Sequence, residues 1–543
     1  MKTKSFLAMG MIAALAVGCS SDDIVDGGGD NNNGNNGGGK AFVSLNITLP
    51  SSNGSASGPF HSATRSENNQ FDHGTANEYQ VNKLTVIYFY TDASGDQQFV
   101  RTYQPEDLSW TKPANPANGS TTTADLPVEE VPFNGTAKVL VAVNTPAGLE
   151  VNQDNEAQAP TAEQLTGVSR NSFFMTNVVN DKGEYLVKVT SYAKKTEAQE
   201  HASDNSIYVA RAVGKVQLFT DWTGEYSVAS GVNEGAKVTI DNWKLDVTNK
   251  LTYPIRKFDA TSLPITDYAR FYCGDPNRTY WAQDPNYDNY NSTLQHNNFN
   301  VITDVNDINN AVGSIEYCLE NTFNTKHQKQ DETTRVLAKA TFVPKELVSD
   351  AEYLAGDKTW YTLGNSTKGY SATDVKEAIQ AAYSEAGSSI NLSDITLKEI
   401  FLTAGTQKEI EKTSFDVNGA EPSDEQLAVV KNRLGKVTTY LQGKCYYAIR
   451  IKHLDYYCPW GAPDYKDYVY VDDAERDAME KTYLGRYGVV RNNWYKVTIN
   501  SVSQPGSPLI PELTTNCDDE QKYYLQATIN IQDWAVRNQG VDL

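Results

Sequence analysis

The sequence is short of basic residues, of histidine and cysteine, and of long apolar runs, and each shortage excludes a class of function. Lys and Arg number 47 against 68 Asp and Glu, a formal charge of −21. Such a chain repels nucleic acid and anionic lipid headgroups, so nucleic acid is not expected as a partner. No stretch reaches the roughly eighteen consecutive apolar residues of a membrane-spanning helix. Setting Cys19 aside, Cys273, Cys318, Cys445, Cys458 and Cys517 are odd in number and cannot all pair within one chain, so no disulfide framework is expected, although Cys445 and Cys458 could face each other across a hairpin. The six histidines, His61, His73, His201, His296, His327 and His453, are scattered without zinc-ligand spacing. Asp284, Asn286 and Asp288 match the first ligand spacings of an EF-hand loop, but Asn289 and Gln295 stand where its glycine and glutamate belong, so a polar turn is the better reading. With no GxSxG, P-loop or Rossmann fingerprint either, the expectation is a protein without metal or cofactor that is not an enzyme.

What the chain does have is tyrosine, 32 residues of it, within 10% aromatics, a composition suited to β-rich extracellular architecture. Its 543 residues suffice for two or three domains. It opens with Lys2 and Lys4 ahead of an apolar run from Phe6 to Val17, the pattern of a secretory signal over residues 1–18. Leu15, Ala16, Val17 and Gly18 before Cys19 resemble the lipobox of bacterial lipoproteins, which implies a lipidated Cys19. Ser20, Ser21, Asp22 and Asp23 look like the acidic surface-export signal of Bacteroidales lipoproteins. Gly and Asn dominate residues 27–39, so 19–39 reads as a flexible tether.

After this tether Val43, Leu45, Ile47 and Leu49 alternate with Ser44, Asn46 and Thr48 up to Pro50, the period-two pattern of a half-buried strand. A Ser, Gly, Asn and Ala-rich stretch follows around Arg65, the first arginine of the chain. A strand held by an unprotected polar loop can be cut loose, so residues 40–65 read as a removable first strand with a protease-sensitive loop. An ordinary first strand with a loose surface loop fits the same pattern.

Strand patterns then recur at irregular spacing: Leu84 to Tyr90 with apolar residues on both faces, Ala137 to Asn144, Ile207 to Phe219, and Lys237 to Lys257. They predict a β-sandwich over residues 66–245. A second one is expected over 246–503, from Ser314 to Thr322, Thr334 to Lys345, Lys444 to Leu454 and Asn492 to Val502. Two helices interrupt it, one capped by Ser371 with Val375, Ala378, Ile379 and Ala382 inward, the other by Ser423 with Leu427, Val430 and Leu434. Residues 504–543 form a linker with Pro505, Pro508 and Pro511, then a strand in which Leu525, Ala527, Ile529 and Ile531 alternate with polar residues before the phase breaks at Asp533 and resumes at Trp534 and Val536. This last strand is free either to reach another molecule or to close its own sheet.

The motifs at Trp243 (WKLDVTNK), Glu316 (EYCLENT), Val336 (VLAKATFVPK), Val489 (VVRNNWYKVTINSV) and Ile529 (INIQDWAVRNQGVDL), in this order and with the lipobox, resemble the fimbrillin family of the Bacteroidales, the type V pilins, most closely the major subunit of the short fimbria. The resemblance implies a mainly β fold of two tandem transthyretin-like sandwiches, here with helical insertions in the second, and a C-terminal donor strand. It implies an outer-membrane lipoprotein precursor cut between Arg65 and Ser66 by an arginine-specific or trypsin-like protease. The first strand (Val43, Leu45, Ile47, Leu49) leaves, and the donor strand of another copy (Leu525, Ala527, Ile529, Ile531, Trp534, Val536) takes its place in a surface fimbria. Anchor or tip pilins and a host or bacterial surface ligand are the further partners implied. The alternative reading is a monomeric surface glycan-binding lipoprotein of a polysaccharide-uptake system, with Trp281, Trp360 and Trp460 as sugar-stacking platforms.

Overall fold

The computed structural model describes residues 40–49, 75–111, 123–167, 169–178, 184–257, 281–287, 297–322, 324, 327–453, 484–515 and 525–533. The chain is mainly β. Its first strands are β1 (Ala41–Val43), β2 (Asn46–Thr48), β3 (Leu84–Asp92), β4 (Gly95–Tyr103), β5 (Ser109–Thr111), β6 (Thr123–Asp125), β7 (Glu129–Val131), β8 (Thr136–Val143), β9 (Met175–Asn177), β10 (Val187–Thr190) and β11 (Ser206–Arg211), with the short helices α1 (Ala162–Thr166) and α2 (Lys195–Glu200). They pair in the order β4-β3-β8-β9-β11-β2-β6-β5, with β10 also on β8 and β1 on β7. The two-faced apolar pattern of β3 has a direct cause. Leu84, Val86 and Tyr88 enter the main core, whereas Ile87 packs on the other face with Leu140 and Ile255.

The chain continues through β12 (Gly214–Thr220), β13 (Tyr226–Ser227), β14 (Lys237–Asp246), β15 (Thr248–Asn249), β16 (Phe299–Asn300), β17 (Ile315–Cys318) and β18 (Arg335–Val343). Strands β12, β14, β17 and β18 supply a second core, whereas Phe299 of β16 packs in a separate cluster with Val247, Trp281 and Tyr287. After α3 (Ala351–Ala355) come β19 (Trp360–Leu363), α4 (Ala372–Glu385), β20 (Ile395–Leu397), β21 (Gly405–Lys408), β22 (Phe415–Val417), α5 (Asp424–Leu434) and β23 (Val437–Tyr440). The last strands are β24 (Lys444–Arg450), β25 (Asn493–Val502) and β26 (Leu525–Asp533). Two four-stranded sheets, β17-β12-β25-β26 and β13-β14-β18-β24, share this second core.

The run from Ile207 to Phe219 is thus two strands rather than one, and β14, expected to close the first sandwich near Leu245, packs in the second core. The change of core falls at Val213–Gly214. A side chain at Gly214 would collide with Val489, so only glycine lets the chain pass there. The helices are insertions as expected, but they bring a core of their own. Val375, Ile379, Val430 and Leu434 pack with Tyr361, Phe401 and Val437. Ser371 and Ser423 cap them, accepting from Asp374 N at 3.1 Å and Gln426 N at 3.2 Å.

Candidate functional site

The first strand lies inside its sheet. Val43, Leu45, Ile47 and Leu49 are at most 3% exposed, and all four belong to the first core. β2 runs parallel to β11, with Ile47 opposite Ile207, and antiparallel to β6, with Ile47 opposite Ala124. β1 pairs antiparallel with β7, and Phe42 exchanges backbone bonds of 2.8 and 2.7 Å with Tyr192. Between the two short strands, Leu126 N donates to Leu45 O at 2.8 Å and the buried Asn205 side chain donates to Ser44 O at 3.1 Å. Burial of the four aliphatic side chains contributes about 6–12 kcal/mol gross. A strand paired on both sides leaves two unpaired edges and an apolar floor when it goes, which is a template for another strand.

The described residues from Thr75 onward are tied to the strands that follow. Lys215 Nζ donates to Glu78 Oε1 at 2.7 Å, both side chains at most 2% exposed, and Arg211 Nε donates to Glu78 O at 2.7 Å. Lys215 also sits 3.7 Å from the centre of the Trp494 ring on β25. Burial works to raise the Glu78 carboxyl, but the Lys215 ammonium and the hydrogen bonds from Lys215 and Tyr317 outweigh it and hold the group below its ordinary value. Because the folded value is the lowered one, the stabilisation is present above the ordinary carboxylate range and is lost as pH falls through the folded value. Glu78→Gln leaves the Lys215 ammonium in the interior without its carboxylate and is expected to remove about 3–5 kcal/mol at neutral pH. Urea denaturation at stepped pH checks this, the gap to the parent protein closing in acid. Sequence reading missed this latch. Its signal was two cations four residues apart, Arg211 and Lys215, inside an otherwise apolar run.

The C-terminal strand β26 pairs antiparallel with β25 at the edge of its own sheet, Leu525, Ala527, Ile529 and Ile531 standing opposite Val502, Ile499, Val497 and Tyr495. The structure therefore places it apart from the first strand's slot within one copy of the chain. The linker before it is not the free spacer expected from its prolines, since Ser503 to Thr514 is hydrogen-bonded to the second sandwich. Cys19, Arg65, Ser66, Trp534 and Val536 lie outside the described residues, as do Cys273, Cys458 and Cys517.

Trp281 and Trp360 are no platforms for sugar rings. They are 0% and 1% exposed, Trp360 stacked on Tyr440 with ring centres 3.9 Å apart, while Trp460 lies outside the described residues. Asp284 is likewise buried, its carboxyl accepting from Asn286 N at 2.9 Å and Thr322 N at 3.1 Å, and burial pushes it up to about 7. Enclosed among amide donors, it has the surroundings of a structural group rather than of an acid in a cleft. Cys318 and Cys445 are buried thiols whose ionisation burial pushes up, to about 12 for Cys445, so neither is poised to react.

Residues 462–540 match the family described as major fimbrial subunit protein type IV, fimbrillin, C-terminal. The resemblance read from the motifs at Val489 and Ile529 is borne out there. No curated protein sequence matches the chain. Among solved structures, the chain is similar to a candidate cell adhesion protein of Parabacteroides distasonis, over 91% of this chain and 100% of that one, at 11% identity and a TM-score of 0.39. A candidate cell adhesion protein of Bacteroides eggerthii is similar over 94% and 100%, at 11% identity and a TM-score of 0.35. A fimbrial assembly protein of Parabacteroides distasonis is similar over 56% and 85%, at 11% identity and a TM-score of 0.24.

Proposed function

We propose that the chain is a structural subunit of a cell-surface fimbria that supports adhesion, exported as an outer-membrane lipoprotein through Cys19, cut between Arg65 and Ser66, and polymerised by donor-strand exchange. One observation carries the reading: the first strand, through β2, fills an interior position of its sheet, and Arg65 follows it in the sequence. Its loss creates a slot with two edges, β11 and β6. β26, among the described residues, pairs on one side only. The slot offers an incoming strand an apolar floor and a ladder on each side, so exchange with a cut neighbour finds an acceptor whereas exchange with an uncut one is blocked by the resident strand. The partners of this reading are identical subunits, anchor or tip pilins, an arginine-specific or trypsin-like protease, and a ligand on a host or bacterial surface.

N-terminal sequencing of the surface-assembled form tests it. Fibres are expected to begin at Ser66, and Arg65→Ala is expected to leave a folded, unpolymerised precursor. Fibres that retain Lys40 to Leu49 would contradict the mechanism.

A further inference from the structure

The Pro-rich segment ahead of β26 does more than connect. Asn233 donates to Ser503 O at 3.1 Å and the Tyr447 hydroxyl to Gln504 O at 2.9 Å. Ser507 and Tyr446 exchange both backbone bonds, at 3.0 and 2.8 Å. Arg335 Nη2 donates to Pro511 O at 2.8 Å, and Asp331 N to Thr514 O at 3.1 Å. Ile510 packs against Ile308, Leu337 and Tyr446. Gly506 lies so close that a side chain there would stand 2.5 Å from Tyr446 O. The contacts with Tyr446 and Tyr447 fall on β24, which pairs with β18 on its other side and is, among the described residues, the last strand of its sheet, while Asn233, Asp331 and Arg335 hold the segment on either side of them.

We infer that Ser503 to Thr514 is a fixed strap that seals the open edge of β24 and sets the pivot of the C-terminal strand beyond Thr514. The prolines fit the first role. Lacking N–H groups, Pro505, Pro508 and Pro511 cannot carry the ladder outward, so the strap covers an edge without offering a new one. The second role rests on the donor-strand reading and deepens it: of the roughly forty residues after β25, the first twelve are held by the strap's contacts and stay with their own subunit. Residues 516–524 bridge Thr515 to Leu525, and ten peptide steps span at most about 35 Å. That reach limits how far apart a donor's strap and an acceptor's slot sit in a fibre, which makes the strap the ruler of subunit spacing.

Two disulfide staples test the inference separately from the reading beneath it. Tyr446 and Ser507 form a hydrogen-bonded antiparallel pair, whose Cα separation suits a disulfide. With Tyr446→Cys and Ser507→Cys joined, as mapped by mass spectrometry, the polymer ladder of protease-treated subunits is expected to match the reduced sample within twofold. A ladder that vanishes when the staple is oxidised and returns with reductant overturns the fixed strap and leaves donor-strand exchange standing. Val497→Cys joined to Ile529→Cys, across β25 and β26, is expected to abolish the ladder until reduced. Polymers formed with that staple closed overturn the donor assignment, and the pivot with it. Should the first staple impair folding, hydrogen exchange on the unaltered chain decides: amide protection at Ser507 and Tyr446 equal in monomer and polymer supports the strap, and its loss in the polymer overturns it.

Discussion

Ile47→Ala is expected to cost the uncut subunit about 2–5 kcal/mol and to leave the assembled fibre unchanged. Ile47 is fully buried, lies opposite Ile207 on one side and Ala124 on the other, and shares the first core with Val43, Leu45 and Leu49. Truncating it opens a cavity in the middle of a sheet, where neighbours held by ladders on both sides relax little. If proteolysis vacates the same position in the fibre, as the donor-strand proposal requires, the substitution has nothing to act upon there. Urea denaturation of the precursor, in an Arg65→Ala background that prevents cutting, gives the first number. Thermal disassembly of fibres grown from cut Ile47→Ala subunits gives the second. A fibre weakened as much as the precursor means that the first strand stays in place during assembly.

Where alternation and caps carried the signal, residues and structure agree. Val43 to Leu49 alternates because one face meets the core, and Ser371 and Ser423 mark helix starts because their hydroxyls accept the first free backbone N–H groups. What alternation does not encode is the partner. The pattern of Leu525 to Ile531 is satisfied by β25 of the same chain or by another copy's slot, since both offer an apolar floor and a free edge. The run from Ile207 to Phe219 looked continuous because the break at Val213–Gly214 serves packing against Val489, a contact nearly three hundred residues away that no local window registers. The prolines of the strap misled for a related reason. They signal that a segment cannot lie inside a sheet, and a segment that lies along one leaves the same signature. Glu78 carried no local signal either, as its partners Lys215 and Tyr317 come from the second sandwich's strands.

Replacing Ile529 and Ile531 together by Asp is expected to abolish polymers, and to lower the melting temperature of the uncut subunit as well. Both residues stand opposite fully buried positions of β25, Val497 and Tyr495. Charge introduced at that register is costly by several kcal/mol per residue wherever the strand sits, at home or in a neighbour's slot. Loss of stability by itself therefore decides nothing, and a mixing experiment does. The variant keeps an intact slot, so once cut it accepts a donor strand, but it has none to give. Doped into cut wild-type subunits at low temperature, where it remains folded, it is expected to end each chain it joins. Mean polymer length on an unboiled denaturing gel then falls in proportion to the variant fraction, and labelled variant appears at chain ends alone. If labelled variant instead enters chains throughout their length without shortening them, β26 belongs to its own sheet in the fibre as in the precursor, and the donor has to be sought elsewhere in the chain.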